Sequence, residues 1–387
     1  MGALSGYTII ELAGIGPAPM GGMMLADMGA EVIRIERPGA ADPKVAEPIS
    51  GRNKKSVVLD LKQEGGRNAF MALIDKSDAL IDPFRPGVCE KLGLGPDECL
   101  ARNPRLVFAR MTGWGQEGPL AQAAGHDLNY IAITGALHAI GRRGERPVVP
   151  LNLVGDFGGG GMLLVTGIMG ALLETAKSGE GQVVDVAMVD GTAQLMWMMQ
   201  GFQQLGAWFA EEREANLLDG AAHFYDTYEC ADGKYVAIGA IEPQFYAELL
   251  TRVEVSDPDF QRQHDATQWP ELKAKLGAVL KTKTRDEWDS IMTGSDACFA
   301  PVLTMVEAPQ YEANKERAVY TVVDGLTHPS PAPRFKRTPS KIIHGTRSLG
   351  ADTVSVLASS GMDEATVSAL LETGAAQTFE GEGFDRE

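Results

Sequence analysis

The chain of 387 residues is too long for one compact core and fits two domains. Its 44% hydrophobic and 22% charged residues exclude a disordered or fibrous protein. A formal net charge of −17 excludes a general affinity for nucleic acid or anionic lipid, so a polyanionic ligand has to meet a local basic patch.

In chain order, the start, Met1 to Ile10, has no basic region ahead of an apolar run, and no secretory signal is expected. Strands are predicted at Tyr7–Leu12, Glu31–Glu36, Ser56–Leu61, Ala79–Ile81, Leu106–Arg110 and Gln182–Val186, from short β-rich or alternating runs. Helices are predicted at Pro17–Met28, Asp127–Ile140, Gly158–Lys177 and Met188–Leu205, the third entered through four glycines. Strands alternating with helices imply an α/β domain with a helix-covered parallel sheet. Met188–Leu205 is rich in Met and Trp, which reads first as core and second as a face against a partner subunit. After the polar stretch Glu211–Gly220, Tyr225–Ala240 reads as a hairpin turning at Asp232-Gly233. Helices at Phe245–Leu250 and Trp269–Leu280 complete a smaller α+β domain. The predicted division is a large domain at 1–187, a linker helix and connection at 188–224, a small domain at 225–318, and a return to the large domain with an acidic tail at 319–387.

Cys89, Cys99, Cys230 and Cys298 lie far apart with no C-x-x-C pair, a pattern suited to a reducing compartment and not to a disulfide framework or a cysteine zinc site. The longest apolar run, Met162 to Leu173, is shorter than a membrane span. The final residues, Phe384-Asp385-Arg386-Glu387, are not a peroxisomal address. A cytoplasmic protein with neither membrane nor nucleic acid as partner is expected.

The segment Ala13-Gly14-Ile15-Gly16-Pro17-Ala18-Pro19 begins like a dinucleotide fingerprint, with Glu36 at a ribose-binding distance. The pattern breaks at Pro19, and the two prolines remove amide donors that a pyrophosphate would need. A glycine turn between strand and helix is the better reading. Basic residues cluster early, at Arg34, Arg37, Arg52, Lys54, Lys55, Lys62, Arg85 and Lys91. Coenzyme A carries a 3′-phosphate and a pyrophosphate, and arginine forks match that geometry. Phe84-Arg85-Pro86-Gly87 fixes one arginine on a turn, and Arg110 to Gly115 ends a strand with small residues where a ligand can approach.

Three further segments carry titratable groups: Gly125-His126-Asp127-Leu128-Asn129-Tyr130, Asn152 to Gly160 around Asp156, and Gly239 to Tyr246 around Glu242. With the N-terminal glycine–proline segment, Phe84–Gly87 and Met111–Gly118, they resemble the family III CoA-transferase superfamily, and within it the α-methylacyl-CoA racemases, over about residues 3–340. The resemblance implies a Rossmann-like large domain, a small domain, and an interlocked homodimer with its active site at the subunit interface. It implies His126 and Asp156 as the two acid/bases and Glu242 as the partner of His126. The implied reaction interconverts (2R)- and (2S)-2-methylacyl-CoA thioesters by proton transfer through an enolate.

Elementary chemistry agrees with these assignments. Inversion at an α-carbon needs a base on one face and an acid on the other. Histidine titrates near neutrality, and burial raises a carboxyl toward it. The amide of Asp127, in the first turn of a helix, is a candidate donor to the enolate oxygen, an interaction typically worth about 3–4 kcal/mol. The glycines after Asp156 are expected to let the acyl chain or thioester approach closely. Arg34, Arg37, Arg52, Lys55, Leu59, Lys62, Phe84, Arg85, Lys91, Met111, Thr112, Gly125, Tyr130, Asn152 and Tyr225 are assigned to substrate and CoA binding. No metal and no resident cofactor are expected, CoA being part of the substrate. The rival within the superfamily is a CoA-transferase that uses Asp156 as a nucleophile. A second base at His126 favours the racemase. His138 and His223 lack comparable context and read as structural, and no G-x-S-x-G elbow points to a thioesterase.

Overall fold

The computed structural model describes residues 2–378. The acidic end of the predicted tail, residues 379–387, lies outside the described residues. Two units divide the described residues: 2–134, 151–195 and 318–378 form the first, and Gly135–Pro150 with Met196–Arg317 the second. The sequence reading placed 135–150 with the large domain and 188–195 in the linker. Arg142 explains the first difference, because its guanidinium is held by Asp226 at 2.7 Å and Glu214 at 3.1 Å within the second unit.

The first unit is built on six parallel strands, β1 Thr8–Leu12, β2 Glu31–Glu36, β3 Lys54–Leu59, β4 Ala79–Asp82, β5 Val107–Thr112 and β6 Gln182–Ala187. Their order is β3-β2-β1-β4-β5-β6, extended beyond β3 by the short antiparallel strand Ala376–Gln377. This is the doubly wound dinucleotide-fold order, in which the chain reverses direction between β1 and β4. The central strands read as nearly unbroken apolar runs because helices bury both their faces. One face packs on Phe70, Leu73 and Leu357, the other on Leu25, Leu164, Val165 and Ile168.

Helix α1, Pro17–Asp27, follows β1, with Gly16 at its N-cap in a left-handed φ of 68°. The predicted helix at 127–140 is broken. Helix α2 spans Asp127–Ile133 and stops before Gly135, whose φ of 86° no continuing helix adopts. Residues Leu153–Gly161 form a π-helix that runs directly into helix α3, Met162–Ser178. Helical backbone therefore begins five residues before the predicted start at Gly158. The continuous helix of 26 residues is long and apolar enough to cross a membrane, contrary to the reading from the apolar run alone. Leu164, Val165, Ile168 and Leu172 along it are instead buried in the core of the sheet. The predicted helix 188–205 likewise divides, into α4, Met188–Leu195, and a separate helix Trp197–Gln204.

In the second unit, β7 Tyr225–Glu229, β8 Tyr235–Gly239 and β9 Phe299–Pro301 form an antiparallel sheet. Its first turn uses Gly233 at φ 75°, the residue the sequence marked. Helices Pro243–Arg252, Trp269–Leu280 and Arg285–Met292 close over a core containing Phe224, Phe260, Leu276 and Trp288. Both buried indoles are satisfied: Trp269 donates to Gln263 O at 2.8 Å and Trp288 to Leu280 O at 2.7 Å.

Candidate active site

The loops leaving β1, β4 and β5 meet at the reversal point of the first unit's sheet, where ligands of such folds sit. They enclose a cavity of about 420 Å³. Ile15 to Ala18 form one side, Pro83 to Pro86 another, and Met111 to Trp114 a third. His126 and Asp156 both line it, with Phe84, Arg85, Thr112, Gly125, Tyr130 and Asn152. Nine predicted site residues thus share one cavity.

Each side chain is placed by its local structure. After β4 the amide of Phe84 donates to Asp82 Oδ1 at 2.9 Å, fixing the turn that presents Phe84 and Arg85. Gly113 and Gly125 have no alternative, since an added Cβ would lie 2.1 Å and 2.8 Å from the Tyr130 ring. Tyr130 lies edge-on to Trp114, centroids 4.7 Å apart, and its hydroxyl donates to Gly125 O. His126 is the exposed N-cap of α2, and its amide donates to Asn129 Oδ1 at 3.1 Å. Sequence reasoning passed over Trp114 and the Ile15–Ala18 wall as ligand-facing residues, although the Gly-Trp-Gly run signalled close packing.

Asp156 sits in the first turn of the π-helix, a form often found at functional sites. Its amide donates to Asp127 Oδ1 at 2.6 Å, and Asn152 Nδ2 donates to its Oδ2 at 3.1 Å. Asp127 is buried, so its carboxylate serves as the anchor of this turn. Burial holds the Asp156 carboxyl above the ordinary aspartate range; the Asn152 hydrogen bond opposes this, the Asp127 charge adds to it, and His126 opposes it.

The glycines after Asp156 do not serve the expected thioester approach. A Cβ on Gly159 would meet the Thr192 amide at 2.7 Å, one on Gly160 the side chains of Met188 and Pro17 at 2.9 Å, and one on Gly161 the Met20 sulfur at 2.9 Å. They admit α1 and α4 against the π-helix instead.

The basic cluster is also redistributed. Arg34 is buried and forks onto Glu47 at 2.9 and 3.0 Å, and Arg52 is buried against Asp27 at 2.6 Å. Neither is free for a phosphate, and Leu59 belongs to the core. Lys55 pairs with Glu31. Arg37, Lys62 and Lys91 are exposed and lie outside the cavity lining. Among the described lining residues Arg85 is the sole arginine or lysine. Tyr225 and Glu242 belong to the second unit, where Tyr225 lines a separate pocket of about 680 Å³ and Glu242 is the exposed N-cap of the helix Pro243–Arg252.

A cavity lined by a histidine and a carboxylate at the reversal point of a mostly parallel sheet is the site of an α/β enzyme. The chain belongs to CoA-transferase family III, whose sequence pattern matches residues 4–353. It is 46% identical over 365 residues to the α-methylacyl-CoA racemase of Mus musculus, covering 93% of this chain and 94% of that one. It is 45% identical to the human α-methylacyl-CoA racemase, covering 87% and 88%. The crystal structure of Rv3272 from Mycobacterium tuberculosis, at 26% identity, superposes with a TM-score of 0.77 over 91% of this chain and 98% of that one.

Proposed function

We propose that this chain racemises 2-methylacyl-CoA thioesters, exchanging the (2R) and (2S) forms by 1,1-proton transfer. The observation that carries this reading is the meeting of His126 and Asp156 on one cavity, the carboxyl raised by burial toward the imidazole's range. The racemase names of the mouse and human relatives support it. One group removes the α-proton while the other delivers a proton to the opposite face of the enolate. Which group acts first depends on the enantiomer bound. Asp127 anchors the turn of Asp156 through its carboxylate, and its amide is the donor we assign to the enolate oxygen. Glu242 is the assigned partner of His126, Arg85 the assigned phosphate contact, and Tyr225 an assigned substrate contact. The reaction we assign needs no resident cofactor or metal. The working form we assign is a cytoplasmic homodimer.

The test is exchange in heavy water. Either enantiomer of a 2-methylacyl-CoA should gain α-deuterium and lose optical purity at matching rates, without an acceptor acid. His126→Ala and Asp156→Asn should each depress inversion by about a hundredfold or more, the usual scale of a lost acid or base. Retention of the α-hydrogen with movement of CoA to an added acid would replace this reading with the transferase.

A further inference from the structure

The start of α1 is unusual in a way that bears on Asp156. A helix start ordinarily presents unsatisfied amides and a partial positive charge to whatever lies against it. A carboxylate at such a position is held as the anion. Here the neighbour is Asp156: a Cβ built on the N-cap residue Gly16 would lie 3.3 Å from its Oδ2. Gly16 has a φ of 68°, which disfavours a side chain independently of the space. Of the three residues that open the helix, Pro17, Ala18 and Pro19, only Ala18 retains an N–H.

We propose that Pro17 and Pro19 are positioning residues for the reaction: they let Gly16 bring the helix start against the Asp156 carboxyl while withholding the amide protons that a helix start donates. This inference rests on Asp156 acting as an acid/base. Other sequences can cap this turn. Proline suits the first helical position, and the third position has a free N–H that needs no partner within the helix. The prolines are thus compatible with the helix without being required by it. Pro17 also packs on Gly160, so the helix start is seated on the π-helix that carries Asp156. The other polar or charged groups around the carboxyl are His126, Asp127 and Tyr130 from α2, Asn152 from the preceding turn, and Arg85 across the cavity. Asn152 is the side chain that donates to it. With a full set of helix amides added, the carboxyl would lose much of the proton affinity that delivery to the enolate demands.

The experiment is the pH profile of kcat/KM for racemisation of one 2-methylacyl-CoA, measured from both enantiomers in the parent enzyme, Pro19→Ala and Pro17→Ala. Both directions need the same total protonation of His126 and Asp156, so they share one profile. Each restored amide should move the acid limb down by about half a pH unit and leave the alkaline limb in place. A purely structural defect would lower the whole profile without moving the limb. An unmoved acid limb in both folded variants, judged by their circular dichroism melts, overturns the proposal. Asp156→Asn separates the two levels. If it keeps the parent profile, the acid/base assignment itself falls. If it abolishes inversion while both proline variants leave the limb unmoved, only the role of the prolines falls.

Discussion

Two residues of the same chemical type meet opposite fates in this chain. His126 is exposed on the cavity, whereas His223 is fully buried, its Nε2 2.6 Å from the Tyr246 hydroxyl. Burial pushes the His223 imidazole down to about 4, with the charges of Lys273 and His264 adding to the shift. The unfolded chain, with an ordinary value of 6.5, therefore binds a proton that the folded chain refuses. The stability contribution is complete above pH 6.5 and is lost progressively as pH falls toward 4. Between pH 7.5 and pH 5 this single group should remove about 2 kcal/mol. His223→Gln, which keeps a hydrogen-bonding side chain beside Tyr246 without a titratable ring, should lose about that much less than the parent over the same interval in urea unfolding. Equal losses would show that the ring does not titrate in this range.

At the scale of elements, the glycine run after Asp156 decides the site's shape. Gly191 in α4 faces Gly159 in the π-helix so closely that a Cβ would lie 1.9 Å from the Gly159 carbonyl oxygen. Gly191→Ala should cost about 3 kcal/mol and displace the turn that carries Asp156, lowering activity as well as stability. Gly170, in the middle of α3, has nothing within 4 Å of a built Cβ. Gly170→Ala should stabilise by about 0.5–1 kcal/mol with activity unchanged. Comparable denaturation midpoints for the two variants would refute this packing account. The contrast shows what the sequence could and could not tell. The six parallel strands were legible to within a few residues, because buried parallel strands advertise themselves as apolar runs; the antiparallel strands Phe299–Pro301 and Ala376–Gln377, too short to show a pattern, were not. The π-helix was not, since glycine belongs to breaks in one context and to intimate helix packing in another. The pairing of His126 with Asp156 on one cavity was legible through the resemblance. The fate of the basic cluster was not. Arg34 and Arg52 resemble phosphate ligands in one dimension, yet Glu47 and Asp27, distant in sequence, claim them in three. An arginine's partner is a property of the fold.

At the scale of the whole molecule, the helix Trp197–Gln204 has no buried residue, leaving Trp197 72% exposed and the following Leu205 81% exposed. A chain with a net charge of −17 has ample charged residues to cover a solvent-facing helix, yet this one presents Trp, Met, Phe and Leu. Burying a tryptophan and a leucine removes a few hundred Å² of apolar surface from water, which favours association by several kcal/mol before ordering costs are counted. A second copy of the chain is the occupant that our proposed homodimer supplies, and an isologous contact would bury the patch twice. Sedimentation of the full chain should therefore give about twice the protomer mass of 41.4 kDa. Trp197→Glu places a charge in that contact and should shift the population toward the protomer in a concentration-dependent way, with racemase activity falling in parallel if the partner completes the site. A parent chain that sediments as a protomer at micromolar concentration, fully active, would leave the apolar helix without this explanation and refute the dimer.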